Sequence, residues 1–275
     1  MVSPIRVGAV NFLNAKPLYY KLEEFAPDVR LTMEVPSRLA EQLADGELDV
    51  ALIPSVEYLR QADRGYEIIP GFAIAARGSV LSVKLFSRVP WNRVERLALD
   101  AGSRTSQVLA RIWLDEKHAV RPPRVEELPL GVSALESTAD AVLVIGDRAM
   151  RVPNDAFLEV VDLAEAWHHL TSLPFVIALW VVRKGVDLGE LPEALEQSRA
   201  LGLAEAATVA RIHGQRLGLD VATCYDYLTR VLSYELGEPE IAGLKRFAAM
   251  AARLGLAPEG VSLVFHRGRD LAPRR

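Results

Sequence analysis

The chain has 275 residues, half of them hydrophobic and a quarter charged, with a formal net charge of −4. That balance is too apolar for a disordered chain, and the length suits two lobes. It supplies no broad positive field for a phosphate backbone and no apolar run near the ~20 residues that span a bilayer, so neither nucleic acid nor membrane is expected as a partner.

From the N-terminus, short apolar runs alternate with helical patterns, as in β-α-β units built on a largely parallel sheet. Ile5 to Val10 reads as a strand, and Pro17 is expected to open a helix striped by Leu18, Leu22 and Phe25. Val29 to Val35 reads as a second strand. Ser37 is the expected N-cap of a helix that turns Leu39, Ala40 and Leu43 inward and stops at Gly46. Leu48 to Ile53 reads as a third strand, ending at Pro54-Ser55. In a parallel sheet such strand ends share the edge where ligands bind, so Asn11, Asn14, Ser37 and Ser55 are expected to gather there. Helix capping accounts for each serine taken singly. The loop Asn11-Phe12-Leu13-Asn14-Ala15-Lys16, by contrast, delivers an amide and a helix N-terminus to one place.

A second cycle follows Phe72 to Ala76, with strands at Leu81 to Phe86 and Leu97 to Leu99. The turn Ala101-Gly102-Ser103-Arg104-Thr105-Ser106 then leads into a helix with Val108, Leu109, Ile112 and Trp113 inward. Glycine, hydroxyls and unpaired helix N–H groups can hold a carboxylate there, and the same hydroxyls can simply cap the helix. Ala141 to Ile145 reads as a buried strand ending in Gly146-Asp147, and Phe175 to Val182 as a long strand returning to the first lobe. Four helices are expected after it: Leu191 to Leu201, Ala204 to Gln215, Thr223 to Leu236 and Pro239 to Leu254. The expected division is 1–80 with 181–275 against 81–180, with Pro122-Pro123 a turn cluster rather than a linker.

GxGxxG after the first strand, GxxxxGK[ST], GxSxG and HExxH are all absent. Adjacent His168 and His169 cannot both face one metal from a helix, so neither a metal nor another cofactor is expected. Cys224 can make no internal disulfide and reads as a buried thiol. The opening Met1-Val2-Ser3-Pro4-Ile5-Arg6 lacks the apolar region of a signal peptide, and a cytoplasmic location is expected. Arg267, Arg269, Arg274 and Arg275 read as a solvated basic tail.

Val7-Gly8-Ala9-Val10-Asn11-Phe12-Leu13-Asn14 and Leu48-Asp49-Val50-Ala51-Leu52-Ile53-Pro54-Ser55 resemble the opening of the menaquinone-biosynthesis chorismate dehydratases of the futalosine pathway. Ser82-Val83-Lys84-Leu85-Phe86-Ser87, Ser103-Arg104-Thr105-Ser106, Ile145-Gly146-Asp147 and Thr171-Ser172-Leu173-Pro174-Phe175-Val176 agree in order, so the resemblance spans nearly the whole chain. Ser172 departs from it, standing where glycine is usual. The resemblance implies a two-lobed α/β protein of the type-two periplasmic-binding-protein-like fold, with discontinuous lobes and a ligand cleft between them. It implies a carbon–oxygen lyase acting on chorismate, a small dicarboxylate. The naphthoate-forming sister enzyme and a non-catalytic anion-binding protein of the same fold are the alternatives.

For that chemistry Asn14 is the expected catalytic residue, orienting the ring or its leaving hydroxyl. Ser82, Thr105 and Ser106 are expected to bind carboxylate, with Asn11, Ser55, Ser103 and Asp147 as further substrate contacts. Asp147 reads equally as a capping residue. No motif offers a well-placed strong base: Asp147, His168 and His169 are candidates that read more simply as structural residues, and the substrate's own side-chain carboxylate is the other candidate for that role. The sequence is silent on oligomeric state.

Overall fold

The computed structural model describes residues 4–122 and 124–267; Pro123 and the tail residues Arg269, Arg274 and Arg275 lie outside that range. The apolar runs become eleven strands among the described residues. They are β1 (Ile5–Val10), β2 (Val29–Glu34), β3 (Val50–Pro54), β4 (Glu67–Ala76), β5 (Val83–Ser87), β6 (Arg96–Asp100), β7 (Arg124–Leu128), β8 (Ala141–Ile145), β9 (Glu159–Asp162), β10 (Phe175–Val182) and β11 (Leu232–Ser233). The α-helices are α1 (Leu22–Phe25), α2 (Pro36–Ala44), α3 (Ser55–Arg60), α4 (Arg104–His118), α5 (Leu163–Thr171), α6 (Leu191–Ala204), α7 (Ala206–Leu217), α8 (Val221–Asp226) and α9 (Glu238–Arg253). None of them is long and apolar enough to cross a membrane.

One sheet has six strands in the order β11-β4-β10-β3-β1-β2 and the other five in the order β7-β6-β8-β5-β9. Strand β1 pairs in parallel with both β2 and β3, as the β-α-β pattern requires, so their carboxyl ends share one edge. Strand β10 returns antiparallel between β3 and β4. It pairs with β4 from Phe175 onward, so residues 175–180, expected with the second lobe, belong to the first sheet. The chain crosses out through residues 77–82 and back through α5 and the turn that follows it.

One buried apolar cluster runs through both lobes, and a smaller one containing Phe86, Val142, Val144 and Phe157 lies on the five-stranded sheet. Trp167, Phe175 and Phe247 pack against one another where α5, β10 and α9 meet. The indole N–H of Trp167 donates to the Pro174 carbonyl at 3.1 Å, which anchors the returning chain.

Three local expectations are corrected. Pro17 does not open a helix; it lies inside a 3₁₀ helix, Leu13–Tyr19, that begins directly after β1. Val35, not Ser37, precedes the first turn of α2, where Pro36 takes the first position with its fixed φ. The segment expected as one helix from Thr223 to Leu236 is α8, a π-helical turn Tyr227–Val231 and β11, because Leu232 and Ser233 pair with Ala76 and Ala75 at the edge of β4. Pro122 lies between α4 and β7 of one sheet's wrapping, not at a break between lobes.

Candidate active site

Between the lobes lies a narrow cleft. Val10, Phe12, Ile74, Val83, Ile145 and Ile177 make its apolar walls, and Asn14, Ser82, Ser103, Thr105 and Ser106 its polar groups. No charged side chain is among the lining residues. Five of the eight expected site residues therefore meet in one cleft.

The other three are not among its lining residues. Asn11 is exposed, and its side-chain oxygen accepts from Lys16 Nζ at 2.8 Å. Ser55 is fully buried and donates to the Val176 carbonyl at 2.7 Å, tying α3 to β10. Asp147 sits under the Asn11–Lys16 loop, where burial pushes its carboxyl above the usual aspartate range despite a backbone N–H from Leu13 and the charges of Lys16 and Arg151.

The turn after β6 is built by Asp100. Fully buried, it accepts from the backbone N–H groups of Gly102 and Ile145, each at 3.0 Å, and pairs with Arg148. This binds the ends of β6 and β8 together and sets α4 with its N-terminus toward the cleft, where the helix dipole favours an anion. Ser103 is the N-cap, its Oγ accepting from the Ser106 N–H at 3.3 Å. Thr105 Oγ1 accepts from the Val56 N–H at 3.3 Å and lies 3.5 Å from Ser55 Oγ, a long contact from which a ligand carboxylate can draw its hydrogen. Ser106 Oγ is buried with no partner, and so is Asn14 Oδ1. Unpaired buried polar atoms on residues that line a cleft cost stability until something binds them.

Asn14 is held by the 3₁₀ helix, whose Tyr19 donates its phenol O–H to the Val10 carbonyl at 3.1 Å. Ser82 is delivered by the outgoing crossover, and Asp162 shapes that segment. Its Oδ2 accepts from Ser79 Oγ, Val80 N–H and Leu81 N–H at 3.0, 2.9 and 2.6 Å, while its Oδ1 caps α5 through the N–H groups of Ala164 and Glu165. Leu81 pays for the bend with a φ of +63°.

Sequence reasoning missed Asp100, Asp162 and Tyr227. Asp162 carried a signal, since aspartate followed three residues on by Glu165 is a helix-start pattern. Tyr227, whose O–H donates to Ser82 Oγ at 2.7 Å, is 145 residues away in sequence and carried none.

Two α/β lobes enclosing a cleft of hydroxyls and helix N–H groups define the periplasmic-binding-protein-like class of fold. A protein from Archaeoglobus fulgidus superposes at a TM-score of 0.74 and 18% identity over 92% of this chain and 98% of its own. The alkanesulfonate-binding protein SsuA of Xanthomonas axonopodis pv. citri does so at 0.68 and 16%, over 94% and 96%.

The family model described as "Menaquinone biosynthesis" matches residues 5–253, and the chain belongs to that family. It is 34% identical to the chorismate dehydratase of Thermus thermophilus, over 93% of this chain and 97% of that one. Its likeness to the 1,4-dihydroxy-6-naphtoate synthase of the same organism is lower, 27% over 78% and 79%.

Proposed function

We propose that this protein is a cytoplasmic carbon–oxygen lyase that converts chorismate to 3-[(1-carboxyvinyl)oxy]benzoate and water in menaquinone biosynthesis. The observation that carries the reading is the near full-length likeness to a chorismate dehydratase, joined to a cleft whose polar groups are uncharged hydroxyls and one amide. The lobes in this reading are 1–80 with 175–275, and 81–174.

Chorismate carries two carboxylates, a C3–H and a C4 hydroxyl. Removing the C3 proton gives a dienolate conjugated to the ring carboxylate, and expelling the hydroxyl makes the ring aromatic, so no cofactor is required. Thr105 and Ser106 donate to one carboxylate beside the α4 N-terminus and Ser82 to the other. Such donors stabilise charge that grows on the ring carboxylate as the proton leaves. Asn14 orients the reacting hydroxyl with its unpartnered Oδ1. The cleft lining offers no carboxylate, imidazole or amine to take the proton; the side-chain carboxylate of the substrate takes it instead and hands it to the departing C4 hydroxyl, which leaves as water.

The test is incubation of the protein with chorismate while ultraviolet absorbance and mass are followed. Appearance of a product lighter by one water is expected, and binding without turnover would make the protein a ligand sensor instead. Asn14→Asp should slow turnover at neutral pH, because a carboxylate there repels a dianion and its developing dienolate.

A further inference from the structure

Ser82 has almost no freedom left except at its hydroxyl. Its N–H donates to the Val80 carbonyl at 2.7 Å, and its carbonyl accepts from Gly146 at 2.8 Å. The residue is buried at the cleft wall. A serine hydroxyl has one hydrogen and two lone pairs, and can spend the hydrogen inward or into the cleft.

Tyr227 settles the direction. It is buried, it opens the π-helical turn Tyr227–Val231, and its O–H donates to Ser82 Oγ at 2.7 Å. Such turns recur at functional sites because the widened backbone re-aims a side chain. A phenol is also a stronger hydrogen-bond donor than an alcohol. The Asn14 side chain also faces the phenol and favours negative charge on its oxygen. Each donor in such a chain strengthens the next.

We infer that Tyr227 is a positioning residue for the dehydration: by donating its O–H to Ser82 Oγ, it commits the Ser82 hydrogen to the cleft, where a substrate carboxylate accepts it. This rests on the dehydratase reading. Without Tyr227, Ser82 remains present but its hydrogen is no longer directed.

The experiment is a cycle of Tyr227→Phe, Ser82→Ala and the double variant, measured as KM and kcat for chorismate together with the thermal unfolding midpoint. Loss of one hydrogen bond to a charged group should raise KM about tenfold or more in each single variant, with kcat changed much less. The double variant should match Ser82→Ala in KM, because Tyr227 acts on binding only through Ser82. A purely structural pair would lower the unfolding midpoint and leave KM alone. Wild-type KM in Tyr227→Phe, or a double variant whose KM rise is the product of the two single rises, overturns the inference. Should Tyr227→Phe fail to fold, the double variant has no unpaired hydroxyl left, and any KM rise beyond that of Ser82→Ala overturns it equally. Wild-type turnover tests the dehydratase reading separately. If the protein binds chorismate without converting it, the same cycle is read from Kd.

Discussion

Ser103 and Ser106 stand one helical turn apart on the same cleft wall and are expected to behave oppositely. Ser103 Oγ is engaged as the cap of α4, so Ser103→Ala should cost about 0.5–2 kcal/mol of stability. Ser106 Oγ has no partner, so Ser106→Ala should leave stability unchanged or slightly raised while losing about 1.5–3 kcal/mol of chorismate binding. Chemical unfolding and ligand titration of the two variants check this, and equal losses of stability would show that both serines merely cap. Asp147 makes a third case. Burial lifts its native pKa above the unfolded value, so the native state holds the proton to higher pH. Stability is therefore lost as pH climbs from about 4 through that raised value. Asp147→Asn keeps an acceptor for Leu13 and removes the charge. Its unfolding midpoint should exceed that of the wild type at neutral pH and converge on it in acid; parallel curves would place the carboxylate's cost elsewhere.

At the scale of elements, what could be read from the sequence was what is buried on both faces. Strands β3 and β8 are buried at every residue and appear as unbroken apolar runs. The 3₁₀ helix around Pro17 and strand β11 could not be read that way, because tertiary contacts decide them. Leu228, Leu232 and Leu236 have helical spacing, yet the unpaired edge of β4 takes Leu232 and Ser233 as a strand. For the cleft, the loop after β1 located Asn14 and the turn into α4 located Thr105 and Ser106, whereas Ser82 came only with the family resemblance. No local pattern could say that Ser55 turns away to the Val176 carbonyl or that Tyr227 arrives from the other end of the chain. The departure at Ser172 has a physical content. It closes α5 in the left-handed region with a φ of +59°, where a side chain costs about 1–2 kcal/mol and glycine does not. Ser172→Gly should therefore raise the thermal midpoint, by the equivalent of about 1 kcal/mol after the added chain entropy of glycine. A lowered midpoint would mean that the Ser172 side chain offsets its own strain.

For the whole molecule, the question is what holds the lobes together across the cleft. Among the contacts that join them are the Val56 N–H to Thr105 Oγ1, the Tyr227 O–H to Ser82 Oγ, the Arg104–Glu41 ion pair at 2.7 Å, the Arg253–Asp115 pair, the Trp167 ring on Phe247 and the Phe12 ring against Gly146. The ion pair looks like a latch by position, joining α2 to the first residue of α4. Its magnitude says otherwise, since Arg104 and Glu41 keep 34% and 47% of their side-chain surface exposed. Exposed pairs contribute about 0.2–1 kcal/mol, whereas a ring packed onto backbone removes apolar surface from water whatever the salt. Glu41→Gln should accordingly raise KM by less than about fivefold and leave kcat unchanged. The difference from wild type should vanish near 1 M salt, where the screening length is about 3 Å. The measurement is a KM series against salt for both proteins. A much larger rise that persists at high salt would make the ion pair the element that closes the cleft. The expected small and screened effect leaves that role to the buried contacts, among them the packing of Phe12 on Gly146, whose φ of +67° suits glycine, and of Trp167 on Phe247.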